Sequence, residues 1–213
     1  MSKRRMRIEY AVWVVLFAIG ALCVWAAGRY AYFPGDVATE GWVQSLFSQD
    51  LTWTRKVSTS AEFPWLFIIL AFISFFSWLL DGWRAALLSI VSLAGMLALG
   101  TWLGPIIGRP RPSPGLVHVM IPFPGYGFPS LFALRYAATF GFLAVLAALR
   151  GTRIVATVVP IICGTLFALG WFARVALAAH WPSDVIISYY LGLLWAAFLI
   201  RLGSIGSSTG NDR

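Results

Sequence analysis

Six apolar runs, each close to the length that crosses a hydrocarbon core, dominate this chain. They cover residues 11–28, 64–80, 85–107, 131–149, 154–179 and 184–202. A helix rises about 1.5 Å per residue, so roughly 20 residues span a bilayer interior. Backbone polar groups find no partner in lipid, so runs of this length fold as helices. Composition agrees: 60% of residues are hydrophobic and only 11% charged, with mean hydropathy +0.81. A soluble domain carries roughly twice that charge. The expected fold is all-α, a polytopic membrane bundle of about six transmembrane helices. One domain over residues 1–202 accounts for the length, with outer loops at about 29–63 and 108–130. The Gly/Ser-rich stretch 203–213 reads as a disordered tail.

The N-terminus, with Lys3, Arg4, Arg5 and Arg7 ahead of an apolar run, is similar to a signal peptide. The run at 11–28 exceeds a usual signal core, so it reads as an uncleaved first helix. Cys23 and Cys163 lie inside apolar runs with no ligand-spaced neighbour and read as small core residues. The net charge of +8 sits at span ends, where it sets orientation, and does not point to nucleic acid. With the N-terminus cytoplasmic, the short turns at 81–84 and 150–153 and the C-terminus are also inside. Arg84, Arg150, Arg153, Arg201 and Arg213 then face the cytoplasm of a plasma (inner) membrane. Between the first two spans, Trp42, Val43, Leu46 and Phe47 read either as a short interfacial helix or as an aromatic-anchored connector.

Ionisable residues at membrane edges are costly and mark function by default. Alternation places Arg109, Arg111, Ser130, Arg174, His180 and Asp184 on one side, the extracytoplasmic one. Guanidiniums clamp phosphate oxygens with fixed fork geometry. A helix opening at Pro129-Ser130 adds backbone N–H groups and a positive dipole end. His180 supplies a nucleophile or base, and Asp184, four residues on, a carboxylate able to fix its tautomer. The plainer readings are headgroup anchors for Arg109 and Arg111 and a simple helix start for Ser130. Arg135, one turn into the fourth span, either snorkels outward or faces the site. The tryptophans read as interfacial belts.

Arg174, five residues, His180, three residues and Asp184 resemble the third motif of the type 2 phosphatidic acid phosphatase and haloperoxidase superfamily. Gly108-Arg109-Pro110-Arg111-Pro112 resembles the end of its first motif, and Phe128-Pro129-Ser130 the start of its second. The resemblance covers roughly 104–184, and the six-span layout matches the membrane branch. It implies His180 as the nucleophile that becomes a phosphohistidine, with Asp184 as its orienter. It further implies Arg111, Arg174 and Ser130 as phosphate ligands, with Arg109 as a helper. Three positions depart from the pattern: Gly104 stands for the first-motif lysine, Phe132 for the proton-donating histidine, and Ala173 for a serine.

Loss of a general acid costs about two to four orders of magnitude when the leaving group needs a proton. A lipid diphosphate expels a phosphate leaving group, a stable anion that needs a proton far less than an alkoxide does. The departures therefore favour prenyl-diphosphate substrates, or transfer to an acceptor, over phosphatidic acid. His118 and Tyr126 are the stand-in acids nearest in sequence. Three functions fit: a lipid-phosphate or lipid-diphosphate phosphatase or phosphotransferase, a protein that binds or moves a phosphorylated lipid, and a structural subunit with relic motifs. No metal or other cofactor is implied, because the acidic residues are scattered. The expected partners are a phosphorylated lipid substrate and membrane lipids, with no nucleic acid; nothing in the sequence sets an oligomeric state.

Overall fold

The computed structural model describes residues 3–47 and 51–207, and their regular structure is helical. In chain order the elements are α1 (Lys3–Ala27), α2 (Asp36–Leu46), α3 (Thr52–Ser60), α4 (Trp65–Ile107) and α5 (Leu131–Tyr136). A π-helical turn (Ala137–Gly141), α6 (Phe142–Arg150), α7 (Arg153–Ala176) and α8 (Pro182–Ser207) complete it. Five helices are long and apolar enough to cross a membrane, with Leu131–Arg150 counted as one. The 43-residue α4 is itself two antiparallel arms. Asp81 (φ −147°, ψ 24°) and Gly82 (φ 77°, ψ −173°) leave helical geometry at its middle. Ser74 Oγ lies 2.8 Å from Ser89 Oγ, whereas fifteen residues of unbroken helix would separate them by about 22 Å. The chain thus makes the six passages that its apolar runs anticipate. A positive φ at the reversal suits Gly82, which lacks the Cβ that would strain there.

Both arms of α4, α7 and α8 surround the span made by α5, the π-helical turn and α6, while α1 packs outside it on α8 and α4. That span is the most enclosed, with Phe132, Ala133, Leu134, Ala137, Ala138, Phe142 and Leu146 all buried. α8 packs closely on the π-helical turn because position 192 is glycine: a Cβ there would lie 2.5 Å from Ala137 Cβ. α1 is held to α8 by Tyr190 Oη donating to Leu16 O at 2.7 Å and by edge contacts of Trp13 and Phe17 with Phe198. Most side chains of α1 are exposed, as lipid-facing ones must be. Cys163 is buried, Cys23 is half-buried, and neither is in a disulfide.

Two expected boundaries move. α1 begins at Lys3 and not near residue 11, because its helix continues past the apolar stretch; Glu9 there pairs with Arg201 of α8. α8 runs on to Ser207, so residues 203–207 are helical; 208–213 lie outside the described residues. Between the first two spans the chain forms α2 and α3, both packed against α7. α2 buries Asp36, Glu40 and Val43, spaced four and three residues apart on one face, and leaves Trp42 exposed. The N-terminus, the 81–82 reversal and the α6–α7 turn share one end of the bundle, where Arg150 pairs with Asp81 at 3.3 Å. Loops 28–64 and 108–130 and the α7–α8 turn share the other.

Candidate active site

The spacing between Arg174 and His180 follows from how α7 ends. Ala178 N donates to Val175 O at 2.9 Å and Ala179 N to Arg174 O at 3.1 Å, with Ala178 at φ 51°. This is a Schellman turn, in which a left-handed residue just past the helix turns the chain back over its last carbonyls. Glycine usually takes that position; here an alanine holds it. The turn delivers His180 beside the last turn of α7, near Arg174. Two residues later α8 opens with Pro182 in its first turn, where a missing N–H costs nothing. Asp184 reaches back so that its Oδ2 accepts the Trp181 N–H at 3.0 Å. That is the acidic half of a capping box, placed where a helix dipole favours negative charge.

His180 is 2% exposed. Its Nδ1 lies 2.5 Å from Gly127 O. A carbonyl only accepts, so Nδ1 carries the proton and Nε2 keeps its lone pair. Nε2 faces Arg111 Nη1 at 3.3 Å. Burial, then the charges of Arg174 and Arg111, push the imidazole well below its usual pKa against the opposing Gly127 bond, so it is neutral near pH 7. Arg111 is anchored by Pro124 O at 3.2 Å and by Ala179 O. Burial lowers its pKa, partly countered by Asp184, and a guanidinium remains charged through such a shift.

His180, Arg111, Arg174 and Arg135 line one cavity of about 810 Å³. Arg174 Cζ sits 5.0 Å from the Phe123 ring centroid and 5.6 Å from that of Phe132. Its Nε has no hydrogen-bond partner although buried, and the same holds for Arg135 Nε. Arg135 lines the cavity and also donates through Nη1 to Ala61 O at 2.9 Å. Two of the three departures also lie on this wall: Gly104 and Phe132 both line it. Phe132 packs on Tyr136 at 4.2 Å between centroids, and Gly170 leaves room for it, since a Cβ there would lie 2.6 Å from the ring. A protonated histidine at 132 would repel Arg174; the phenyl face attracts it.

Three of the expected site residues make their contacts elsewhere. Asp184 does not touch His180. Its four-residue offset straddles the start of α8, so the two are not neighbours on one helix face, and Gly127 O occupies Nδ1 instead. Arg109 is not on the cavity wall. It is buried, paired with Asp184 Oδ1 and with Asp36 Oδ2 at 3.2 Å, bonded to Tyr30 O at 3.0 Å, and covered by the Phe33 ring. Asp36 also accepts the Ser183 N–H at 3.0 Å, so Arg109 fastens α2 and α8 together. Ser130 is the N-cap of α5: its Oγ accepts from Ala133 N at 3.4 Å, its N–H donates to Ser188 Oγ at 2.9 Å, and it does not line the cavity. The plain helix-start reading is the realised one. Of the stand-in acids, Tyr126 lines the cavity and His118 does not; the backbone of His118 pairs with the Gln44 side chain.

Gly127, Asp36, Phe123 and Glu62 escape sequence reasoning. Gly127 carries a signal only in retrospect: a Cβ there would lie 2.5 Å from Pro110 O, and its N–H donates to Arg109 O at 2.7 Å. Glycine is thus what lets the Arg109–Arg111 segment pack against the His180 carbonyl partner. Among the described residues no group of three or more His, Cys, Asp or Glu is placed to hold a metal ion.

No protein of curated function matches the chain in sequence. Its fold superposes on the crystal structure of the first transmembrane PAP2 type phosphatidylglycerolphosphate phosphatase from Bacillus subtilis with a TM-score of 0.70. That likeness covers 94% of this chain and 98% of the other at 18% identity, which speaks for the fold. The sequence pattern of the PAP2 superfamily matches residues 85–204, more than half of the chain and the whole stretch from Arg109 to Asp184. This integral membrane chain belongs to the PAP2 superfamily.

Proposed function

We propose that the chain is a lipid-diphosphate phosphatase, or a phosphotransferase, that works through a phosphohistidine on His180 at the extracytoplasmic face. The observation that carries this reading is an imidazole held at Nδ1 by Gly127 O, whose Nε2 shares a cavity with three guanidiniums. A mere binding site gains nothing from a nucleophile with a fixed tautomer. Arg111 and Arg174 are placed to take the phosphoryl oxygens, and Arg135 supplies a cation in a cavity whose wall has Gly104 in place of lysine.

In the first step Nε2 attacks phosphorus, the bond from phosphorus to the bridging oxygen breaks, and its electron pair leaves with that oxygen. A prenyl phosphate leaves without a proton, so the phenyl ring at 132 is tolerated. The exposed Phe63 and Leu131, also on the cavity wall, give an isoprenoid chain an apolar path to the bilayer. The basic N-terminus, Arg84, Arg150 and Arg201 at the opposite end support the outward orientation.

Binding without turnover is the second reading, favoured by Gly104 and Phe132 both lying on the cavity wall. Phosphate release from a prenyl monophosphate, a prenyl diphosphate and phosphatidic acid, beside His180→Ala, separates the two. Release from the diphosphate that vanishes in the variant is expected. No release from any of them, with lipid-phosphate binding lost in Arg174→Ala, would establish the binder.

A further inference from the structure

Hydrolysis of a phosphohistidine requires a base for the attacking water, and Phe132 stands where the family pattern has a histidine. We infer that Glu62 activates water in the second half of the reaction, a role that rests on the phosphohistidine reading proposed above. Glu62 is the carboxylate on the wall of the cavity that holds His180, Arg111, Arg174 and Arg135; no other Asp or Glu lines it among the described residues.

The other carboxylates near this end are committed elsewhere. Asp36 and Asp184 are taken by Arg109, and Glu40 is fully buried beside them. The other side chains on the wall with an O–H are the hydroxyls of Ser58, Thr101 and Tyr126, which are weaker bases than a carboxylate. Glu62 has the opposite character. It is exposed, it forms no ion pair within 4.0 Å among the described residues, and its charge acts on both Arg135 and Arg174.

Its backbone is held from two sides. The Glu62 N–H donates to Thr59 O at 2.9 Å as α3 ends, and Arg135 Nη1 grips the preceding Ala61 carbonyl. One arginine thus borders the phosphoryl site and positions the residue before the carboxylate. In the step, the water oxygen attacks phosphorus and its proton passes to the Glu62 carboxylate. The P–N bond breaks, its electron pair returns to His180 Nε2, and phosphate leaves. The proton is then lost to solvent.

The test is rapid-quench kinetics of the full chain in detergent with a prenyl diphosphate, comparing the unmodified protein, Glu62→Gln, Glu62→Asp and His180→Ala. The expected result for Glu62→Gln is a burst of released prenyl phosphate within about threefold of normal. Steady-state turnover then falls by about 10²-fold or more, and phosphohistidine accumulates. Glu62→Asp recovers part of the turnover. A normal burst with unchanged steady-state turnover in Glu62→Gln would overturn the role of Glu62 alone. Burst and turnover falling together in that variant would overturn it too, by placing Glu62 in binding or in the first step. Absence of any His180-dependent burst in the unmodified protein would overturn the site reading and this role with it.

Discussion

Asp184→Asn separates two accounts of the third-motif carboxylate. If Asp184 orients the nucleophile, its amide inverts the tautomer preference and kcat falls about 10⁴-fold, the size of the effect in a serine-protease triad. The structure assigns it another task, since its Oδ1 pairs with Arg109, its Oδ2 caps the Trp181 N–H, and His180 Nδ1 is held by Gly127 O. Removing one partner of a fully buried ion pair costs about 3–5 kcal/mol when the survivor is left uncompensated. Here Arg109 keeps Asp36, Tyr30 O and Ser183 Oγ, and an asparagine oxygen still accepts from Trp181. The expected loss is therefore smaller, about 2 kcal/mol. The assay is thermal unfolding in detergent alongside turnover per folded molecule. A lowered unfolding midpoint with kcat within about tenfold of normal is expected. A loss of kcat by about 10³-fold or more at unchanged stability would refute the assignment and restore Asp184 as the orienter.

Gly127→Ala brings a Cβ within 2.5 Å of Pro110 O, a backbone collision that no side-chain rotation relieves. It should destabilise by about 1–3 kcal/mol and lower kcat at least about fivefold as the His180 bond is strained; unchanged kcat would detach Gly127 from the nucleophile. Glu40 is fully buried, with neither carboxylate oxygen bonded, and burial first, then Asp36 and Asp184, push its pKa up from 4.5 to about 9. The folded chain therefore binds a proton that the unfolded chain releases above 4.5, and stability drains away as pH rises towards 9. Glu40→Gln should stabilise by about 3 kcal/mol at pH 7, with a gain that grows between pH 5 and 9; a pH-independent difference would contradict the burial of a neutral acid. The imidazole of His180 is depressed, so kcat/KM should hold its acid limb below pH 6.5, because the nucleophile stays unprotonated there. A pH–rate profile with that limb at 6.5 or above would place the imidazole in a wetter, less cationic setting.

The spans were legible because lipid admits few alternatives: a 20-residue apolar run has to be a helix, and the reversal at Asp81-Gly82 was marked by a charge and a glycine. Hydropathy reports the buried part of a helix and not its ends, which is why α1 begins at Lys3 while its apolar run starts near 11. α2 was half-legible. Its buried face carries Asp36 and Glu40, charged residues that no apolar period marks for burial; Arg109 and Ser183 surround Asp36.

At the site, residue types were readable and pairings were not. Arg174 and His180 come together through a local turn, so their spacing encodes their proximity. Asp184 and Arg109 are 75 residues apart, and their union depends on loops whose closeness rests on a glycine contact. Arg109 and Arg111 both read as phosphate-side cations in sequence, Arg109 as the helper. Two residues apart in a Pro-rich extended stretch, they diverge, one inward to two carboxylates and one to the cavity.

The proposed first step is transfer of the phosphoryl group to His180. Its most direct test is rapid quench of the unmodified protein with a prenyl diphosphate, followed by mass-spectrometric location of the phosphorylated residue under conditions that spare acid-labile phosphoramidates. The account predicts phosphate on His180, formed at the rate of the burst and absent in His180→Ala. Phosphate released with no phosphoenzyme, or turnover surviving in His180→Ala, would contradict it.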